Sequence, residues 1–345
     1  MSIKKSVLLA GILLVLAIFA VACAGPEGAV GPAGPEGPQG PAGPMPSASE
    51  LTCTQCHNNS SALTAKVYAW EESRHSTAGT AWIEEKGRQE CATCHSGASF
   101  ADAMTQGLNW QTYGTTEGIT LPDATPQDCR SCHTIHTTYT ADDFALRTVT
   151  PVAMVISGQT FDKGIGNLCV NCHQARRYMP DFPAKDAAGA VIAGSYAATT
   201  RFNPHLSNQS DMLLGVGGGG TVEGSPASHY TMTTDSCVTC HLGTTADHTF
   251  AANLATCQAC HADAEDFDIN GKVTEIEGKL ASLTDALKAA GLLDEEGTPV
   301  KGTYEEAQAF PLWVYGFIEE DGSGGIHNAK YASDLLDAAL AALGK

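Results

Sequence analysis

The chain has few basic and few aromatic residues for its length. Lysine and arginine together number 19 against 38 aspartates and glutamates in 345 residues, which gives a formal net charge of −19, and Phe, Trp and Tyr make up 7%. So acidic a surface repels nucleic acid and anionic membranes, and we exclude both as binding partners. It favours cationic redox partner proteins or an extracellular metal acceptor, or it serves only to keep an exported protein soluble.

The longest apolar run is too short for a transmembrane helix. It covers residues 7–22, is interrupted only by Gly11, and follows Lys4 and Lys5. A positive start, an apolar stretch and small residues at its end are typical of an export signal, so residues 1–22 are predicted to be a signal peptide. An uncleaved anchor would need about 20 apolar residues.

One five-residue pattern, C-x-x-C-H, occurs six times. This spacing is the attachment signal for c-type haem: two thiols form thioethers with the porphyrin, and the next residue supplies an imidazole to the iron. Structural zinc and disulfides also use C-x-x-C pairs, but neither requires a histidine directly after the second cysteine. The predicted haem-binding cysteines are Cys53, Cys56, Cys91, Cys94, Cys129, Cys132, Cys169, Cys172, Cys237, Cys240, Cys257 and Cys260, and the predicted proximal iron ligands are His57, His95, His133, His173, His241 and His261.

Cys23 is the one cysteine of 13 that these motifs do not use. The run Ala20-Val21-Ala22-Cys23 resembles a lipoprotein cleavage site with Cys23 as the lipidated N-terminus. Ala20 stands where such sites usually carry Leu, and Ala-x-Ala also suits an ordinary signal peptidase. Lipidation explains the thirteenth cysteine, so we predict a protein exported to the cell surface or periplasm and held at the outer membrane by a lipid at Cys23.

A glycine at every third position from 25 to 43 makes the next segment collagen-like, and residues 23–48 form the lipidated cysteine and this spacer. Seven G-x-y triplets fit either a short trimerising triple helix or an extended polyproline spacer, and we favour the spacer. Either one holds the rest of the chain away from the anchor.

Six porphyrins between residues 53 and 261 leave about 35 residues for each, too few for a conventional core. The haems themselves are therefore expected to form the core of a hexahaem domain, residues 49–265, and to replace the scarce aromatic side chains. Little periodicity is present there, and the glycine-rich run at 215–220 is predicted to be a loop. Residues 266–345 are predicted to be a helical tail that packs on the haem domain. It has two amphipathic helices, and Phe310-Pro311 separates them. The expected fold class is mainly α with much irregular coil and little or no β-sheet.

Six further histidines equal the number of motif histidines. They are His75, His136, His205, His229, His248 and His327. Twelve imidazoles for six irons is the number that complete bis-histidine ligation requires, so these six are predicted distal ligands. His136 and His248 follow their nearest motif too closely to reach its iron and are expected to bind a neighbouring haem. An iron with two imidazoles has no open position, which indicates an electron carrier.

The chain resembles the multihaem c-type cytochromes of metal-reducing bacteria, including their outer-surface cytochromes. C-x-x-C-H-x-x-H at 129–136, the stretch 70–75 and the tail 321–328 resemble segments of the nitrite reductase, hydroxylamine oxidoreductase and octahaem cytochrome group. That resemblance implies distal-ligand roles for His75, His136 and His327. The chain lacks C-x-x-C-K, the motif of the catalytic haem in pentahaem nitrite reductases. Six haems with histidine ligands also resemble cytochromes that polymerise into conducting filaments.

Residues 266–277 match the calcium-loop pattern D-x-D-x-N-G-x5-E. The pattern supplies Asp266, Asp268, Asn270 and Glu277 as oxygen ligands. Such loops usually occur in pairs, and no second one is present in the sequence. The alternative is a turn that caps the following helix.

The sequence therefore predicts an electron-transfer protein with six haem c groups, active in anaerobic respiration, and an electron carrier more readily than an enzyme. One alternative is an oxidoreductase that reduces a small nitrogen or sulfur compound at one open haem. The other is the subunit of a cytochrome filament.

Overall fold

A computed structural model describes residues 61–77, 80, 87–138 and 141–345. Its thirteen α-helices in the described part are mostly short. They are α1 Ser61–Glu71, α2 Gln89–His95, α3 Gly97–Thr105, α4 Trp110–Thr115, α5 Cys129–Cys132, α6 Asn167–Val170, α7 Gln209–Leu214, α8 Ser228–Met232, α9 Cys237–His241, α10 Leu254–Gln258, α11 Lys272–Ala289, α12 Glu306–Asp321 and α13 Ala329–Ala342. The expected fold class is confirmed: the described chain is mainly helical with much coil.

Two small antiparallel sheets contain the described strands. In the first, β1 (Val152–Ala153) pairs with β2 (Thr160–Phe161). The second has the order β3 (Pro183–Lys185), β4 (Val191–Ala198) and β5 (Gly302–Glu305), with Tyr196 opposite Tyr304. The strand β5 comes from the region after α11, so this sheet joins the C-terminal region to the segment that follows the fourth motif.

Local sequence signals fix several helix starts. The Ser96 hydroxyl accepts a hydrogen bond from the Ser99 backbone N–H at the start of α3. Asn109 and Thr112 form a reciprocal capping box at α4, and the Asn328 side chain accepts from the Tyr331 N–H at α13. Each side chain satisfies a backbone donor that the first helical turn leaves unpaired.

The largest apolar core is formed by α11, α12 and α13 with residues of the chain between 179 and 214. Its fully buried side chains include Phe202, Leu283, Trp313, Phe317 and Leu335. The two amphipathic helices predicted in the tail are present as α11 and α13. All described residues belong to one compact unit, Met45–Lys345.

The prediction that Phe310-Pro311 interrupts the helical tail was wrong. Helix α12 runs through Pro311, and ten of its sixteen residues are buried. A proline inside a helix costs about 3 kcal/mol because its N–H is missing and its ring crowds the preceding turn. Burying one large apolar side chain stabilises by about 1.5–3 kcal/mol, so the packing of Leu312, Trp313 and Phe317 outweighs that cost.

The glycine-rich run is a loop, as predicted, and it packs against the C-terminal helices. Gly220 has φ +62°, and a Cβ built there would lie 2.6 Å from the Phe310 ring. The Trp313 Nε1 donates a hydrogen bond to the Gly217 carbonyl at 2.9 Å. Glycine is therefore required here by close packing rather than by a bound nucleotide.

No helix in the described ranges is long and apolar enough to cross a membrane.

Candidate haem-binding site

Five of the six C-x-x-C-H motifs lie in the described part of the chain. Cys53, Cys56 and His57 of the first motif, and Cys23, lie outside it. In the motifs that begin at Cys129, Cys169 and Cys257, the backbone N–H of the histidine donates to the carbonyl of the first cysteine at 2.9, 2.9 and 2.8 Å. This hydrogen bond closes one helical turn, which brings both thiols and the imidazole to one side of the backbone.

Each of these five motif histidines faces one of the non-motif histidines. The ring centres are 6.1–6.4 Å apart in the pairs His95 with His205, His133 with His248, His173 with His75, His241 with His327, and His261 with His229. The partners are distant in sequence, and none belongs to the same motif region. Ten of the twelve histidines in the sequence belong to these five pairs.

The common separation fits one metal ion between each two rings. Two imidazoles on opposite sides of a metal, each bonded at about 2 Å, have ring centres roughly 6 Å apart, because each centre lies about 1 Å beyond its nitrogen. Rings in direct contact would also allow shorter separations, and a set of unrelated surface histidines would show no common value. The five separations are therefore those that two imidazoles bound to one metal ion would have.

The hydrogen bonds of the rings leave the other ring nitrogen available to a metal. Nδ1 of six described histidines lies within hydrogen-bonding distance of an oxygen. The acceptors are the carbonyls of Phe144 for His133, Ile326 for His229, Phe250 for His241 and Ala246 for His248, the amide oxygen of Gln209 for His173, and the carboxylate of Asp321 for His327. Since these oxygens only accept, Nδ1 carries a proton, and Nε2 is the ring nitrogen that remains for a metal.

Burial favours the neutral form of two further histidines, His75 and His205. Burial, with His173 as a smaller cause, lowers the pKa of His75 to about 4. Burial followed by the positive charge of Arg176 lowers the pKa of His205 to about 4. The neutral imidazole is the form that binds metal, so the surroundings favour ligation.

The fourth motif lies at the centre of the array. The Cys172 thiol contacts Cys94 of the second motif, and the Cys169 thiol contacts Cys237 of the fifth. Towards the third motif, the Phe250 ring lies 4.7 Å from His75 and 5.7 Å from His248. The fourth site therefore adjoins three other sites.

Some of the residues that shape these sites were not predicted from the sequence. The Arg176 guanidinium stacks on the Trp110 ring at 3.9 Å and donates to the Cys94 sulfur at 3.7 Å and the Glu90 carbonyl at 2.7 Å. The only signal for it is an Arg-Arg pair just after the fourth motif in a chain poor in basic residues. The buried Asp211 accepts hydrogen bonds from the Tyr178 hydroxyl and the Ala175 N–H, and thereby fixes the segment after His173.

The four candidate calcium ligands lie at the start of α11. Asp268 caps this helix: its Oδ1 accepts from the N–H groups of Val273 and Thr274 at 2.8 and 3.1 Å. Helix α10 ends at Gln258, so no helix leads into the loop. Within the described ranges no three His, Cys, Asp or Glu side chains lie close enough together to hold a metal ion. Asp266, Asp268 and Glu277 are therefore not gathered around one point. Calcium binding through these residues and Asn270 stays a prediction. An identical melting curve with and without chelator would contradict it.

Comparison with known proteins gives one structural match. No family model matches the chain, and no curated protein matches it in sequence. The crystal structure of the outer cell wall cytochrome OcwA is similar to this chain with a TM-score of 0.51 and 22% identity, over 81% of this chain and 50% of that one. The chain shares the fold of part of that structure. It spans about half the length of OcwA, whose fold it shares over that part.

Proposed function

We propose that this chain is an exported electron-transfer cytochrome that carries six covalently bound c-type haems, each held by two histidines. The observation that carries the proposal is the separation of 6.1–6.4 Å between the rings of five histidine pairs, each made of one motif histidine and one non-motif histidine. Only a C-x-x-C-H motif combines such a ligand with two thiols for thioether bonds.

Each residue set has a distinct role in holding the cofactor. The two cysteines of each motif bind the porphyrin edge, the motif histidine is the proximal ligand, and its ring partner is the distal ligand. Haem c supplies an iron that accepts and releases one electron at a time. With two imidazoles to hold it, that iron would have no position open to a substrate, so the residues favour an electron carrier over an enzyme.

The sixth haem is proposed to lie between His57 and His136. His57 belongs to the first motif and His136 is a non-motif histidine, so the two combine the same ligand types as each of the five pairs. The Asp143 carboxylate fixes the backbone next to His136, accepting from the N–H groups of His136 and Thr138 at 2.9 and 2.6 Å. His136 has φ +63°, a conformation that few side chains adopt and that functional positions often retain.

Contacts between motifs support a continuous array of sites. Thiols of the second and fourth motifs touch each other, as do thiols of the fourth and fifth. Sites that contact one another fit a carrier, because a carrier has to pass electrons from one haem to the next. The fourth site, between His75 and His173, would connect the second, third and fifth sites.

The partner and the location follow from charge and from the structural match. With a net charge of −19, the protein favours cationic redox proteins or an extracellular metal acceptor. The match to an outer cell wall cytochrome supports a place at the cell surface, and a lipid on Cys23 would hold the protein there. Self-association into filaments or trimers is tested by electron microscopy of the purified protein.

The haem count and the response to carbon monoxide test the proposed function. We expect six haems per chain by pyridine haemochrome, and an unchanged Soret band when carbon monoxide is added after dithionite, because every iron has two imidazoles. A chain without covalent haem would contradict the proposal. A shifted band from about one haem in six would indicate an open iron and favour the enzyme.

A further inference from the structure

Asp321 is the last residue of α12, and its carboxylate forms a hydrogen bond with the ring of His327. The His327 Nδ1 donates to Asp321 Oδ1 at 2.6 Å, and the Asp321 side chain is only 1% exposed. The Ser323 hydroxyl donates to the other carboxylate oxygen, Oδ2. The Ser323 oxygen also accepts the His327 backbone N–H at 3.2 Å. The loop between α12 and α13 thus holds carboxylate and imidazole in a fixed relation.

This partner differs from those of the five other described rings with a defined Nδ1 bond. Among the six described histidines with a defined Nδ1 bond, four donate to backbone carbonyls and His173 donates to the amide of Gln209. Only His327 of these six donates to a carboxylate. Its site therefore has a buried negative charge one hydrogen bond away from the axial ligand.

A carboxylate on Nδ1 changes the imidazole as a ligand. It draws the Nδ1 proton towards itself, which raises the basicity of the ring and so its electron donation through Nε2. A stronger donor stabilises ferric over ferrous iron, and hydrogen bonding to an axial ligand is one of the means by which a protein sets the potential of a haem. Burial leaves this charge poorly screened by water.

The opposite charge surrounds another site. The positive charges of Arg176, Arg177 and Arg201 all act on His205, the partner of His95. Positive charge favours the ferrous state for the same electrostatic reason. One histidine of each site thus has neighbouring groups of opposite sign, Asp321 for His327 and the arginines for His205.

We propose that Asp321 is a positioning residue that lowers the reduction potential of the haem between His241 and His327. This inference rests on the proposed function. It adds a direction to it, since electrons would leave this site towards sites of higher potential.

The test is a redox titration of the complete haem-loaded chain with Asp321→Asn. Asparagine keeps an acceptor oxygen for Nδ1 and removes the charge. We expect the midpoint potential of one of the six one-electron transitions to rise by at least about 59 mV. At a fixed potential this shift is a tenfold change in the ratio of oxidised to reduced haem. One ferric low-spin signal in the electron paramagnetic resonance spectrum should change with it. Asp321→Glu, which keeps the charge, should retain the low potential.

Asp337→Asn is the matched control. Asp337 is an exposed carboxylate on α13 that pairs with Lys279 at 2.8 Å and bonds no histidine. No transition should move in this variant. The inference is overturned if Asp321→Asn leaves all six transitions in place, shifts them all alike, or opens an iron to carbon monoxide. In each of these cases the wild-type protein still has six haems that do not bind carbon monoxide, so the proposed function stands. A wild-type protein without six such haems would contradict the proposed function itself.

Discussion

Replacement of His205 by glycine is expected to convert one haem in six from inert to carbon monoxide into a form that binds it. His205 faces His95 with ring centres 6.1 Å apart, so removal of its ring opens one axial position. Its φ is +78°, a conformation that glycine adopts without strain, so the backbone of the variant should keep its path. The measurement is the reduced Soret band with and without carbon monoxide.

Two further measurements make this prediction specific. Free imidazole should fill the space left by the side chain and restore the low-spin spectrum, although it is not attached to the chain. Leu206→Gly is the matched control, since Leu206 is the next residue, is 61% exposed and lies outside every histidine pair. An unchanged spectrum in His205→Gly, or an equal change in the Leu206 variant, would contradict the role of His205 as a ligand.

The C-x-x-C-H motifs could be recognised in the sequence because each is a local signal. Two thiols and an imidazole within five residues form one helical turn wherever they stand in the fold, as the bond from the His173 N–H to the Cys169 carbonyl illustrates. The number of non-motif histidines likewise needed no structure. The helices α11 and α13 were predictable because their apolar residues recur with helical period.

The pairing of the rings could not be predicted, because it depends on tertiary structure. His75 precedes its partner His173 by almost a hundred residues, and the sequence around either histidine has no signal that predicts the other as its partner. Asp321 was similarly hidden: in the sequence it is one acid among 38 acidic residues, and only the loop after α12 brings it to His327. The prediction at Pro311 was wrong because the rule that proline ends a helix is local, whereas the burial of α12 determines whether this helix forms.

Replacement of Trp313 by alanine is expected to lower the free energy of unfolding by about 3–5 kcal/mol, as for a large aromatic removed from a core. Trp313 is fully buried, and its ring centre lies 5.6 Å from that of Phe202 and 6.0 Å from that of Phe182. Its Nε1 donates to the Gly217 carbonyl at 2.9 Å, which ties α12 to the glycine-rich loop. Urea unfolding followed by far-ultraviolet circular dichroism measures the loss.

Two variants separate packing from hydrogen bonding at this position. Trp313→Phe keeps most of the ring and loses the bond to Gly217, so its loss should be about 1–2 kcal/mol. Tyr68→Ala removes an aromatic side chain that is 64% exposed and should change stability by less than about 0.5 kcal/mol. Equal losses in Trp313→Ala and Tyr68→Ala would mean that the core around α12 is not what stabilises the fold. A loss confined to Trp313 would mean that the apolar side chains of the C-terminal helices stabilise the helix that ends at Asp321. That same packing would then hold the carboxylate against His327.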